Sequence, residues 1–119
     1  MAATVLIVDD HSGFRLTART LLESEGYEVV GEAETGQQAV RLAAELHPDL
    51  VLLDVQLPDL DGFEVAARML AHANGNGPKI ILTSSRDGSD FGPLVGECGA
   101  CGFVPKAELS GVALARLIW

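Results

Sequence analysis

Two apolar runs in this chain end on acids. Val5-Leu6-Ile7-Val8 leads into Asp9 and Asp10, and Leu50-Val51-Leu52-Leu53 leads into Asp54. Three carboxylates gathered in one place repel one another, and packing does not call for them, so such a group needs a cation. An all-oxygen donor set suits a hard divalent ion, Mg²⁺ first of all. Two further residues extend the same chemistry. Ser84 follows the run Lys79-Ile80-Ile81-Leu82-Thr83, 30 residues after Asp54, and Lys106 lies 22 residues beyond Ser84, just past Gly102-Phe103-Val104. A hydroxyl and an ammonium match the oxygens of a phosphoryl group. Asp9, Asp10 and one oxygen of Asp54 can hold the cation, while the other Asp54 oxygen can attack phosphorus and form an acyl phosphate. Phosphoryl transfer asks mainly for positioning and charge neutralisation, and this set offers both. Taken singly, the same residues are ordinary: strand-end acids that open solvated loops, a surface lysine, a turn serine.

What would bring them together is a repeat of strand and helix. The apolar runs are continuous rather than alternating, as in strands buried on both faces. The strands are expected at 4–8, 27–33, 50–53, 79–83 and 102–104. The 27–33 segment mixes polar and apolar residues, as an edge strand does. Helical stripes follow: Phe14, Ala18, Leu21 and Leu22; then Ala39, Leu42, Ala43 and Leu46; then Phe63, Ala66, Ala67 and Leu70. A glycine-interrupted stripe is Phe91, Leu94, Val95 and Cys98, and the last is Leu109, Val112, Ala113 and Leu117, with Leu114 and Ile118 adding apolar surface on another side. Gly26 stops the first helix, Thr35 caps the second, and His47-Pro48-Asp49 ends it. Five βα units imply a doubly wound α/β fold, a five-stranded parallel sheet of order 2-1-3-4-5, in the flavodoxin-like manner. Strands one and three then flank the switch point, where open α/β sheets bind their ligands, and Asp9, Asp10 and Asp54 meet there.

Composition narrows the rest. The 119 residues suffice for one domain, and 48% hydrophobic content argues against disorder. A net charge of −9 is the wrong sign for a phosphate-backbone binder, so no nucleic acid is expected as a partner of this chain alone. No membrane span and no signal peptide are visible, and a cytoplasmic location is expected. Cys98 and Cys101 form a lone CxxC with neither the second ligand pair of a zinc site nor the helix-opening placement of a redox pair. They read as small, partly buried residues. His11 follows the acid pair and could relay a phosphoryl group, but it reads as a helix-start residue. Asp59 and Asp61 read as solvated loop acids.

At VLIVDD, LVLLDVQLPDLDG, IILTSS and GFVPK the chain closely resembles the receiver domain of two-component response regulators, over essentially all of residues 1–119. DDHSGFR and VVGEAETGQQAV look most like receivers that precede a LuxR-type helix-turn-helix domain. The resemblance implies that Asp54 is the phosphoacceptor, Asp10 the direct Mg²⁺ ligand, and Asp9 the acid assisting through water. The Gln56 backbone carbonyl would complete the protein ligands. Lys106 would pair with the phosphoryl group. Ser84 would move to hydrogen-bond it, Thr83 being a competing hydroxyl with the wrong spacing, and Phe103 would rotate as Ser84 moves. Gln56 and Arg86 lie two residues past nucleophile and hydroxyl and would tune phosphoryl lifetime. The implied partners are a sensor histidine kinase and a homodimer mate or other protein at the 91–119 face. The chain would catalyse only its own phosphoryl transfer and hydrolysis.

One departure from the family pattern concerns the last loop. A proline usually follows the lysine, often through a cis bond; here Pro105 precedes Lys106 and Ala107 follows it, so a trans bond is expected. The chain ends ten residues after Leu109, so it reads either as a stand-alone receiver or as the excised receiver of a DNA-binding regulator. A pseudo-receiver that takes no phosphate is a rival reading. A haloacid-dehalogenase-type phosphatase would want an acid at Gln56, and a flavodoxin-like carrier would want a hydroxyl-rich loop after the first strand, where Ser12 is the only hydroxyl.

Overall fold

A computed structural model describes residues 3–72, 77–85, 99–100 and 102–118. The elements run β1 (Thr4–Val8), α1 (Ser12–Ser24), β2 (Glu28–Ala33), α2 (Gly36–Leu46), β3 (Leu50–Asp54), α3 (Gly62–His72), β4 (Lys79–Ser84) and β5 (Gly102–Pro105). A 3₁₀ turn, Lys106–Glu108, then leads to a C-terminal helix, here α4 (Gly111–Ile118). The five strands are parallel in the order β2-β1-β3-β4-β5, as the repeat implied. The glycine-interrupted stripe expected over 91–98, together with Cys101, lies outside the described residues.

The continuous apolar runs arise because both faces of the sheet are covered. Leu6, Val8, Val51, Leu53, Ile80 and Leu82 pack toward α2 and α3. Val5, Ile7, Leu50, Leu52 and Ile81 pack toward α1 and α4 with Ala18, Leu22 and Leu114. β2 and β5 are the two edge strands of the sheet; on β2, Glu28 is exposed and Glu32 half-buried. No described helix is long and apolar enough to cross a membrane.

Local chemistry sets the helix ends. Gly26, at φ +92°, turns the chain out of α1. The hydroxyl of Thr35 accepts a hydrogen bond from the Gln38 amide, so it caps α2 as expected. His47 closes that helix in the left-handed region at φ 48°.

Two expected stripes are corrected. On α3, Phe63, Ala66 and Leu70 pack on the core as expected, but Ala67 is exposed and Val65 and Met69 are buried, so the inward face is wider and centred differently. On α4 Leu114 is fully buried while Val112 is 64% exposed. The 3₁₀ turn takes up Lys106–Glu108 and the helix starts at Gly111, so Leu109 precedes the helix instead of setting its phase. Every peptide bond is trans among the described residues, including Lys106–Ala107, as expected.

Candidate functional site

Strand register brings the site together. Val8 of β1 lies opposite Leu53 of β3, and Asp54 lies opposite Thr83 of β4. Ser84 in turn lies opposite Pro105 of β5. The residues that follow these rungs therefore open at one end of the sheet: Asp9 and Asp10 after β1, Asp54 at the end of β3, Ser84 at the end of β4 and Lys106 after β5.

Asp9 and Asp54 are buried, whereas Asp10 is exposed. Ligand atoms of Asp9, Asp10, His11 and Asp54 all lie within 4.8 Å of one another. Lys106 Nζ sits 2.6 Å from Asp9 Oδ2 and 3.4 Å from Asp54 Oδ2, so one ammonium is shared between two buried carboxylates. Its hydrogen bond goes to Asp54, while Asp9 Oδ2 faces it as an ion pair and receives no directed hydrogen bond. The ring of Phe14 on α1 lies 4.6 Å from the same ammonium, a cation–π contact. Burial pushes the Asp54 carboxyl above its ordinary range and Asp9 adds to the rise, against the opposing pull of the Gln56 amide and of Lys106.

Asp54 is held from two sides. Its Oδ1 accepts the Gln56 amide at 3.1 Å, and Gln56 in turn bridges to Asp61. Gly62 packs so closely on this loop that a Cβ there would lie 2.8 Å from Val55 Cα and would strike the Asp54 carbonyl oxygen. The Gly62 amide donates to the Val55 carbonyl at 2.6 Å. A side chain at 62 would push the loop that carries Asp54, so glycine is required there.

Mg²⁺ fits this donor set. Three of the four candidate donors, Asp9, Asp10 and Asp54, offer carboxylate oxygens, the hard donors this ion takes.

The remaining sequence candidates have these positions. Ser84 is buried at the end of β4, opposite Pro105, the residue before Lys106. Thr83 is also buried, and its hydroxyl has no hydrogen-bond partner among the described residues. Phe103 is half-buried and packs against the α2–α3 side of the core. The Gln56 side chain is exposed at the rim. Arg86 lies outside the described residues.

Comparison with known proteins matches this set of elements as a whole. The response regulator receiver domain family matches residues 5–117. The chain belongs to that family. BvgA of Bordetella pertussis is 40% identical over 104 residues, 87% of this chain and 49% of BvgA. The transcriptional regulatory protein PdtaR of Mycobacterium tuberculosis is 37% identical over 116 residues, 89% of this chain and 55% of its own length. This receiver thus spans about half the length of the curated relatives it matches. The crystal structure of a LuxR-family two-component response regulator from Aurantimonas superposes with a TM-score of 0.86 at 34% identity, covering 98% of this chain and 86% of the other. The receiver resemblance read from the four motifs and the LuxR-type likeness read from DDHSGFR and VVGEAETGQQAV both agree with these matches, and the receiver is a regulatory domain of two-component signalling.

Several contacts at the site of this receiver were not foreseen from sequence. His11 does start α1, but its Nδ1 also lies 3.2 Å from Asp9 Oδ1 and 3.1 Å from Asp10 Oδ1. Asp59 and Asp61 are not merely solvated acids. Asp59 accepts the Gly36 and Gln37 amides at 2.7 and 3.0 Å, tying the loop after β3 to the start of α2. Those bonds, Gln37 first, hold its carboxyl below the usual range. Asp61 accepts the Glu64 amide at 2.8 Å and so caps α3. The Asp61-to-Glu64 spacing is a capping-box signature and carried that signal; the Asp59 contact spans 23 residues and left none.

Proposed function

We propose that this receiver accepts a phosphoryl group on Asp54 from a sensor histidine kinase and answers by changing a protein-binding face. The observation that carries the reading is the shared ammonium: Lys106 reaches two buried carboxylates from three different strand ends, in the one crevice where a third acid is also at hand. Such an arrangement is costly for folding alone, since desolvated like charges destabilise the fold unless something binds them.

In the proposed step an Asp54 carboxylate oxygen attacks phosphorus of the kinase's phosphohistidine. The new O–P bond forms as the P–N bond breaks, and the imidazole leaves with the electron pair. Lys106 is already 3.4 Å from Asp54 Oδ2, so the ammonium can move to a phosphoryl oxygen without a large rearrangement. Asp9, Asp10, Asp54 and the Gln56 carbonyl would hold Mg²⁺, which neutralises the charge of the phosphoryl oxygens when bound. Ser84 would bond the phosphoryl group, and its displacement would let Phe103 turn inward. That would remodel the surface of β5 and α4, where Val112 stands exposed, together with the 91–98 segment. A second copy of the chain or a partner protein would read that surface. Gln56 at the rim and Arg86 would set how long the acyl phosphate survives. Because the matched relatives include a transcriptional regulatory protein about twice as long, control of transcription is the proposed downstream output.

The test is incubation with acetyl phosphate, with and without Mg²⁺, followed by intact mass. The wild type should gain one phosphoryl group only with Mg²⁺, and Asp54→Asn should gain none. Labelling of Asp54→Asn equal to wild type overturns the assignment; no labelling of either protein favours the pseudo-receiver.

A further inference from the structure

We propose that Arg15 is a positioning residue for the phosphoryl and metal site, acting through the main chain of Asp9. The inference rests on the reading of that site given above. Arg15 lies one turn into α1, and its side chain is only 11% exposed. Its three kinds of guanidinium nitrogen each have a separate acceptor. Nη1 donates to the Asp9 carbonyl at 2.7 Å, Nε to Glu32 Oε1 at 3.0 Å, and Nη2 to Glu34 Oε1 at 3.2 Å. A planar fork with fixed donor directions can hold three acceptors at the ends of two neighbouring strands at once, which a lysine ammonium on a flexible stem cannot do equally well.

The position of the contact matters more than the ion pairs. Asp9 is the first residue past β1, where the ladder ends. Its amide still bonds across to the Ala33 carbonyl at 3.0 Å. Among the described residues, the one hydrogen bond to its carbonyl comes from Arg15. The main chain of Asp9 is thereby fixed on one side by Ala33 of β2 and on the other by Arg15 of α1, which Glu32 and Glu34 hold in turn. The side chain it carries is fully buried and pairs with Lys106, and the next residue is Asp10. Freed of Arg15, the Asp9 peptide can rotate, and the carboxylates of 9 and 10 lose their common aim. Partners one step out from ligands of this kind orient them and tune affinity.

Arg19 supplies the control. It lies one turn further along α1 and bonds Glu32 Oε2 at 2.8 Å and approaches Glu23 at 3.7 Å, yet it makes no contact with Asp9. Loss of Arg19 removes ion pairing between α1 and β2 and leaves the Asp9 carbonyl held.

The experiment compares Arg15→Met, Arg15→Lys and Arg19→Met in the full chain, well below each variant's Tm. One arm titrates Mg²⁺ by NMR. Arg15→Met is expected to weaken binding roughly tenfold, and Arg19→Met to stay within a factor of about two of wild type. The second arm needs no metal. It follows exchange of the His11 amide, which donates to Asp9 Oδ1 at 2.8 Å. That amide should exchange roughly tenfold faster in Arg15→Met and at the wild-type rate in Arg19→Met. Arg15→Lys keeps a cation for Glu32 and Glu34 but not the fork, and should fall on the side of Arg15→Met in both arms; it carries the test where Arg15→Met does not fold. Wild-type affinity and exchange in the Arg15 variants, or equal losses in Arg19→Met, overturn the proposal. If the wild type binds no Mg²⁺, the metal reading fails, and the exchange arm alone decides the role of Arg15.

Discussion

Two pairs of aspartates meet opposite surroundings in this receiver. Asp9 and Asp54 are buried at strand ends, beside each other and beside a single ammonium. Asp59 and Asp61, in the loop after β3, each accept amides at the start of a helix. Burial pushes the Asp54 carboxyl up, whereas the Gln37 and Gly36 amides pull that of Asp59 down. A helix N-terminus welcomes negative charge, and a desolvated crevice that already holds one does not. The difference separates acids that stabilise the fold from acids that the fold tolerates for another purpose.

The comparison breaks most sharply at Asp54. Asp54→Asn should abolish phosphoryl incorporation, read by intact mass, while leaving Tm at pH 7 unchanged or higher. Asp59→Asn should do the reverse, lowering Tm and leaving incorporation intact. If Asp54→Asn destabilises as much as Asp59→Asn, the two sets do not differ in kind.

Next in size is the metal. Asp10→Ala should weaken Mg²⁺ binding roughly tenfold or more, and Asp9→Ala by less, as calorimetry would show. The reverse ranking would exchange the roles proposed for the pair.

The pH dependence of stability sharpens the contrast, and its sign follows from the two shifts. Asp54 holds its proton more tightly folded than unfolded, so it lowers stability as pH rises from the ordinary value of 3.8 through its raised folded value. Asp59 holds its proton less tightly when folded. Its contribution is present above 3.8 and is lost as pH falls through its lowered folded value. Urea titrations across that range should show Asp54→Asn removing a fall toward neutral pH and Asp59→Asn removing a fall toward acid. Identical profiles for both variants would refute the assignment.

The smallest effect concerns helix caps alone. Asp61→Ala removes one amide acceptor from α3 and should lower stability by about 1 kcal/mol, with Mg²⁺ binding unchanged. A change in Mg²⁺ affinity would place Asp61 with the site acids instead.

Much of this was legible in the chain. The runs around Val5, Leu50 and Ile80 gave away buried parallel strands because strands covered on both faces have no polar side to show. Asp9, Asp10, Asp54, Ser84 and Lys106 could be placed together because a parallel βα repeat puts every strand's carboxyl end on one edge. Helix phase was less legible. Val65 and Met69 were missed and Val112 misplaced, since short helices with apolar residues on several sides do not fix their own rotation. The start of α4 at Gly111 decided that Leu114 goes inward, and the 3₁₀ turn before it has no strong sequence signal.

By itself, then, the sequence determined the order of elements, the edge position of β2, the caps at Thr35 and Gly26, and which strand ends carry acid, hydroxyl and ammonium. These depend on local propensity and on hydrophobic period, which short stretches of chain already contain. Tertiary structure alone decided that Lys106 is shared between Asp9 and Asp54, and that Phe14 lies beneath it. It also decided that Arg15 grips the Asp9 carbonyl, that Asp59 crosses to α2 and that Gly62 must lack a side chain. Most of these are contacts between residues far apart in the chain, and they depend on exact placement of whole elements. Only the register of packed strands and helices sets them.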